Sequence, residues 1–198
     1  MSRLILASGS PRRRQLLHLA GFVVDHVIPP NIPEVRDPNE TPLQYVRRLA
    51  LEKSHAVDAE SAWILAADTI VHHGQNIFEK PVSDEDSARM LQALSGTWHQ
   101  VTTAWSLRWS GIQAHDSGRK LIRGHRTSRV LFRRLTNVEI TRYIETGEGV
   151  DKAGGYAVQG DGAGLIERMT GSTTNIVGLP LDMVVPHMLS VGICRENA

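Results

Sequence analysis

The chain of 198 residues has one cysteine, Cys194, and so no partner within the chain for a disulfide or a cysteine-based zinc site. It has no apolar run approaching the roughly 20 residues of a membrane span, and its first residues show no signal-peptide pattern. The expectation is a cytoplasmic protein without a membrane partner. It also lacks a strong excess of charge: 22 basic against 21 acidic residues leave a net charge of +1. A general binder of nucleic acid or membrane surfaces needs a basic excess that this chain does not have. Internal repeats and low-complexity segments are missing as well. The glycine-rich "GDGAG" carries neither the lysine of a P-loop nor the strand-then-helix setting of a dinucleotide fold. His72 and His73 are adjacent on a predicted strand, face opposite ways and make a poor metal pair.

What remains is an ordinary globular composition, 41% hydrophobic and 22% charged, with ample material for one large domain or one domain of two lobes. "RLILA" reads as a strand, and Ser10-Pro11 as the cap and first position of a helix. A proline-rich loop, "VIPPNIPEVRDPNETP", ends in a second cap-plus-proline start at Thr41-Pro42. The helix that follows carries Leu43, Val46, Leu49, Ala50 and Val57 on one side. "AWILAADTIVHH" reads as a buried strand, and Ser83 with Asp86 as a helix start stopped at Gly96. "HQVTTAWSLRW" and "RKLIRGHRTSRVLFRRL", joined by a turn around "SGIQAHDSG", read as long antiparallel strands. Thr136 with Glu139 opens a helix that stops at Gly147, and "GEGVDKAGGYAVQGDGAG" reads as a loop or broken strand. "LIERMTGSTTNIVGLPL" reads as a hairpin, with a last helix from about Pro180 that Pro186 should kink or shorten. The sum is a mixed α/β chain.

Three features carry chemistry. In "ASGSPRRRQLL" a small-residue turn delivers the chain into a helix N-terminus, where free N–H groups form an anion site. Ser8 and Ser10 add hydroxyls, Gly9 permits close approach, and Arg12 and Arg13 can fork onto phosphate oxygens. Positive charge there opposes the helix dipole, so folding alone gives no reason for it. Arg14 points elsewhere and reads as a surface residue. Asp68 follows six mainly apolar residues, a costly place for a carboxylate. It either binds a metal or activates a water, or it is hydrogen-bonded to a neighbouring loop. Lys53, Lys80 and Lys152 sit in suggestive settings but singly read as solvated lysines, and Glu34 alone is uninformative. The basic run from Arg119 to Arg134 reads as a solvated strand face, with an RNA contact as its alternative.

Taken together, "LASGSPRRRQLL", "AADTIV" followed by "EKP", "LSGTWHQVTT", "DKAGGYAVQG" and "NIVGLPL" resemble the Maf family of nucleoside triphosphate pyrophosphatases, in family order from residue 4 to about 182. The resemblance implies an α/β fold related to the inosine triphosphatases: a long twisted mixed sheet with flanking helices and two lobes around a cleft, here a single two-lobed domain over residues 1–198. It implies cleavage of a nucleoside triphosphate to the monophosphate and pyrophosphate with a divalent cation, Mg²⁺ or Mn²⁺, by a homodimer. Carried over by position, Asp68 matches the proton acceptor, and Ser8, Arg12, Arg13, Lys53 and Lys80 match residues on the phosphate side. Glu34, with Asp68, matches the metal carboxylates. Arg12, Thr69 and Gln159 resemble the specificity set of the branch acting on dTTP, UTP and modified pyrimidine nucleotides, with Thr69 and Gln159 reading the pyrimidine edge. Three segments depart from the family pattern: "TTAWSL" in place of Thr-Gly-Val, "GSTTN" without an aromatic before the Asn, and "NIPE" without a preceding acidic residue. They bear on the metal role of Glu34 and on the shape of the base pocket. The competing readings are a nucleotide-binding regulator without turnover and an RNA-binding module using Arg119 to Arg134.

Overall fold

The computed structural model describes residues 2–111, 118 and 120–195. The elements are β1 (Arg3–Ala7), α1 (Pro11–Leu19), β2 (His26–Val27), α2 (Pro42–His55), β3 (Ala62–His73), β4 (Asn76–Phe78), α3 (Asp84–Leu94), β5 (Trp98–Ser110), β6 (Leu121–Phe132), α4 (Asn137–Glu145), β7 (Ile166–Thr170), α5 (Thr173–Val177) and α6 (Leu181–Ser190). The strands form one seven-stranded mixed sheet in the order β2-β1-β3-β5-β6-β7, with β4 on β3. β1 is parallel to β2 and β3, and the remaining pairings are antiparallel. The long pair β5–β6 runs in register from Trp98↔Leu131 to Arg108↔Leu121. The turn expected between them falls on residues 112–117, outside the described residues, as does Arg119.

Strand alternation divides the core. On one face Ile64 and Ala66 of β3 pack with Ile5, Ala7 and Val57, and Ile70 meets α2, whose buried residues Tyr45, Val46, Leu49, Ala50, Lys53 and Ser54 recur at helical spacing. Lys53 therefore stands on the core stripe of α2, whereas Leu43 lies off it and is exposed. The other face carries two separate apolar clusters. Leu4, Leu6, Trp63, Leu65 and Trp105 pack with α1 and α6, while Val71, Val101, Val130 and Phe132 pack with α3 and α4. Between them runs a polar belt of Thr69, Thr103, Ser128 and Asn175. We call the helices packed over these two clusters the first and the second lobe.

Local signals behaved as hydrogen-bonding chemistry requires in most places. Thr41 and Thr136 form complete capping boxes with Gln44 and Glu139, and Ser83 accepts from the Asp86 amide. One expectation needs correction, and two others gain detail. "LIERMTGSTTNIVGLPL" is not a hairpin: β7 ends at Thr170, Gly171 with a φ of 101° turns the chain, and Ser172 caps α5 by accepting from the Asn175 amide. The segment from Gly147 to Gly164 folds into two short 3₁₀ turns, Ala153–Gly155 and Gly160–Leu165. α6 carries Pro186 in its interior and continues four residues past it.

The second lobe hides a titratable group. His99, 1% exposed, shares a 2.7 Å hydrogen bond between Nε2 and the Tyr156 hydroxyl, and its Nδ1 has no partner among the described residues. Burial pushes its imidazole down from 6.5 to about 4. The unfolded chain takes a proton at His99 as pH falls below 6.5, while the folded chain does so only near 4. Folding stability should thus drop across that window by about 3 kcal/mol. Urea midpoints at pH 7 and pH 4.5 measure this, and His99→Gln should flatten the slope.

Candidate active site

β3 pairs with β1 only as far as Ala7↔Ala66, and with β4 only from Val71↔Phe78 onward. Between them residues 67–70 have no neighbouring strand on that side. Asp68 and Thr69 occupy this gap, and a cleft of about 880 Å³ opens there. Ser8, Arg13, Lys80 and Gln159 are among the residues that line it. The gap exists because the chain leaves the sheet after Ala7 and turns through Ser8-Gly9-Ser10 into α1.

That turn leaves α1 unlike the other helices that open on Ser or Thr. α2, α3, α4 and α5 all begin with a hydroxyl accepting from their first turn. Ser10 holds the cap position of α1 with extended backbone but makes no side-chain cap bond. The first-turn amides of α1 are left for something in the cleft. The Ser8 hydroxyl accepts from the Ser10 amide (3.2 Å) and from Arg13 Nη1 (2.9 Å), which leaves its proton to donate.

Arg13 is held by three oxygens: Nη1 on Ser8 Oγ, Nε on the Gly178 carbonyl at 2.9 Å and Nη2 on Thr69 Oγ1 at 3.2 Å. Burial lowers its pKa from the ordinary 12.5, an effect the charge of Asp68 opposes and that of Arg12 reinforces. Two of its five N–H groups stay without a partner among the described residues, one on each terminal nitrogen. Arg12 points the other way along the rim, to Asp151 at 2.8 Å. Burial of Asp151 works against its charged form, but hydrogen bonds from Lys152 (2.6 Å) and Arg12 outweigh it and hold the carboxyl at about 2. Arg14 is exposed, as expected.

On the opposite side of the gap, Lys53 Nζ bridges Asp68 Oδ1 at 2.5 Å and Glu34 Oε1 at 2.7 Å. Asp68 is 6% exposed, and its Oδ2 makes no hydrogen bond to a described residue. Among the described residues its partner is Lys53 of α2 and not a neighbouring loop. Glu34 comes from the proline-rich loop, which α2 pins. The Tyr45 hydroxyl donates to the Glu34 carbonyl (2.9 Å) and Arg48 Nη2 to the Val35 carbonyl (2.9 Å). Burial raises the Tyr45 hydroxyl to about 12, which keeps it a donor. Arg48 is itself fixed by Glu40 at 2.6 Å and Glu52 at 3.0 Å. The departure in "NIPE" therefore leaves Glu34 in place.

Lys80 is exposed on the cleft wall and forms no ion pair with a described residue. Gln159, also exposed, stands on the loop after the first 3₁₀ turn. That loop is tied down by its own contacts. The Ala157 amide donates to the Tyr143 hydroxyl (2.9 Å), and the Gly162 amide to Glu148 Oε2 (2.8 Å). A Cβ on Gly149 would lie 2.1 Å from the Gly155 carbonyl oxygen, so only glycine closes the turn. All the candidate residues thus meet in one cleft. Sequence reading missed the supports: Tyr45, Arg48, Asp151, Gly178, Thr103 and Asn175. Asp151 and Lys152 lay inside a quoted motif, but nothing in the sequence says that Asp151 reaches Arg12 across 139 residues.

An uncapped helix, a caged guanidinium and lysine-bridged carboxylates thus line one cleft, and residues 3–190 match the family described as Maf-like protein. The chain belongs to that family. Similar relatives carry the name dTTP/UTP pyrophosphatase. That of Hyphomonas neptunium is 43% identical over 90% of both chains. That of Geobacter sulfurreducens is 42% identical over 96% of this chain and 97% of its own. That of Anaeromyxobacter dehalogenans is 46% identical over 90% and 89%. A solved Ham1 protein of Staphylococcus aureus aligns with 66% of this chain and 72% of its own. Its TM-score of 0.41 at 15% identity is too low to carry a conclusion.

Proposed function

We propose that this protein hydrolyses nucleoside triphosphates, dTTP, UTP and modified pyrimidine nucleotides foremost, to the monophosphate and pyrophosphate. The observation that carries the reading is the pairing, across one gap in the sheet, of a phosphate-ready guanidinium with a buried carboxylate that keeps one oxygen free. Relatives at more than 40% identity named for this activity support it.

In this mechanism Asp68 Oδ2 accepts a proton from a water that attacks the α-phosphorus. The bond from the α-phosphorus to the bridging oxygen breaks, and pyrophosphate leaves with that oxygen. Its charge is met by Arg12, Arg13, Lys53, Lys80 and the amides of α1. Glu34 and Asp68 share the Lys53 ammonium, and the carboxylate oxygens that Lys53 does not engage are hard ligands beside it that suit Mg²⁺ or Mn²⁺. No group of three or more His, Cys, Asp or Glu gathers for a metal among the described residues. Two carboxylates completed by substrate phosphates is an ordinary Mg²⁺ arrangement, and the ion would supply charge neutralisation and orientation of the phosphate chain.

Arg12, Thr69 and Gln159, the residues matched to the specificity set, all line the cleft. We take the protein as a cytoplasmic homodimer that clears the nucleotide pool; no described helix is long and apolar enough to cross a membrane. The RNA reading has weaker footing. Arg126 pairs with Asp182 (3.6 Å), Arg129 stacks on Trp98 (4.7 Å to the ring centre) and Arg133 pairs with Glu139 (2.7 Å). The test is pyrophosphate release from UTP, dTTP, modified pyrimidine triphosphates, 7-methyl-GTP and ATP with Mg²⁺, Mn²⁺ or Co²⁺. Pyrimidine turnover that stops on chelation is expected. Turnover confined to purines would overturn the substrate reading, and tight binding without turnover would favour the regulator.

A further inference from the structure

The hydroxyl protons of the polar belt can be assigned one by one. Thr103 Oγ1 donates to the Asn175 carbonyl at 2.8 Å, which uses its only proton. In the 2.8 Å contact between Thr103 and Thr69, Thr69 must therefore be the donor. The single proton of Thr69 then points into the core, and its oxygen is left to accept from Arg13 Nη2 at 3.2 Å. A guanidinium can only donate, so this direction agrees from both ends.

Behind this relay stands Asn175, fully buried. Its Oδ1 accepts from the Thr103 amide (3.2 Å), and its Nδ2 donates to the Val101 carbonyl and to Ser128 Oγ (both 2.9 Å). These bonds lock α5 onto β5 and β6. The residue after α5, Gly178, supplies the carbonyl for Arg13 Nε. Two of the three oxygens around Arg13 are thus set by the docking of one short helix.

We infer that Thr69 acts on the substrate through Arg13 and not by donating to the base, and that Thr103 and Asn175 are positioning residues for the same guanidinium. The inference rests on reading this end of the cleft as a phosphate site. It changes how Thr69 is read: with no proton to offer, its hydroxyl cannot donate to a base carbonyl, and the contribution assigned to it runs through Arg13 to the phosphate chain.

Inorganic tripolyphosphate, which has no base, separates the possibilities. Its binding by calorimetry is compared with that of UTP for wild type, Thr69→Val, Thr69→Ser, Thr103→Val and Thr103→Ser, with thermal melts as the folding check. Thr69→Val should weaken both ligands by the same factor, about tenfold. Thr103→Val should weaken both about threefold, and each serine variant should stay within about twofold of wild type. In turnover the valine variants should raise KM more than they lower kcat. If Thr69→Val binds tripolyphosphate like wild type but loses UTP, Thr69 reads the base and the inference fails. It fails equally if serine and valine lose alike, since packing and not the hydroxyl would then matter. Arg13→Ala distinguishes the underlying reading. Unchanged tripolyphosphate binding in that variant refutes the phosphate site itself, whereas a loss there with none in Thr69→Val refutes only the relay.

Discussion

Asp68→Asn should release pyrophosphate from UTP about a thousandfold more slowly than wild type, within the range that loss of a general base produces. The substitution is nearly isosteric. Asn keeps an oxygen for Lys53 in place of Oδ1, and Lys53 keeps Glu34 at 2.7 Å, so the buried cation is not stranded. What disappears is the second carboxylate oxygen, the one without a partner among the described residues, which becomes an amide N–H₂ that cannot take a proton. The melting temperature should move by no more than a few degrees, since no buried charge is left without a counter-charge. Tripolyphosphate binding should persist, because Arg13 and Ser8 keep every bond they make to one another. The loss should therefore appear in kcat far more than in KM. Full pyrophosphate release by a folded Asp68→Asn protein would remove Asp68 from the mechanism.

The sequence spoke most clearly where short-range rules govern. β3 appears with the bounds that its apolar run predicts, and the Thr41 and Thr136 caps sit where their spacing puts them. The arginines of α1 were legible for the same reason: positive charge at the positive end of a helix contradicts local electrostatics, and such contradictions gather at functional sites. Lys53 was only half legible. Its place in the helical stripe was readable, but what an ammonium on a core stripe would meet depends on Asp68 and Glu34, brought together by the packing of α2 on β3.

Misreadings came where local pattern and tertiary context disagree. "MTGSTTNIVG" alternates enough to suggest strands. The Ser172 cap and the burial of the Asn175 side chain against β5 favour one helical turn instead. The glycine-rich segment could not be read locally either. Its turns close on Glu148, Tyr143 and the Gly155 carbonyl, contacts fixed only once the second lobe has formed. Thr69 shows the limit most sharply. Family position marks it for specificity, but the direction in which its proton points follows from a bond between Thr103 and Asn175 that spans 72 residues.

Lys53→Met should cost both activity and stability, and in a way that divalent cations partly repair. The side chain is 9% exposed, and methionine keeps an unbranched stem of similar length on the α2 stripe. Losing the ammonium leaves Asp68 buried and without its only described partner, while Glu34, half exposed, can turn toward water. Removing one member of a buried pair costs about 3 kcal/mol, which for a chain of this size lowers the melting temperature by about 5–10 °C. Catalysis loses a cation on the phosphate side and the anchor of the base together, so kcat/KM should fall at least about a hundredfold. Two carboxylates without a cation between them should also bind one from solution. Millimolar Mn²⁺, with no nucleotide present, should raise the melting temperature of Lys53→Met more than that of wild type, whose own ammonium already holds the position. Lys53→Arg, which keeps the charge, should melt close to wild type and respond little to Mn²⁺. A Lys53→Met protein as stable as wild type, with the same response to Mn²⁺, would mean that Lys53 is not what holds Glu34 and Asp68 together.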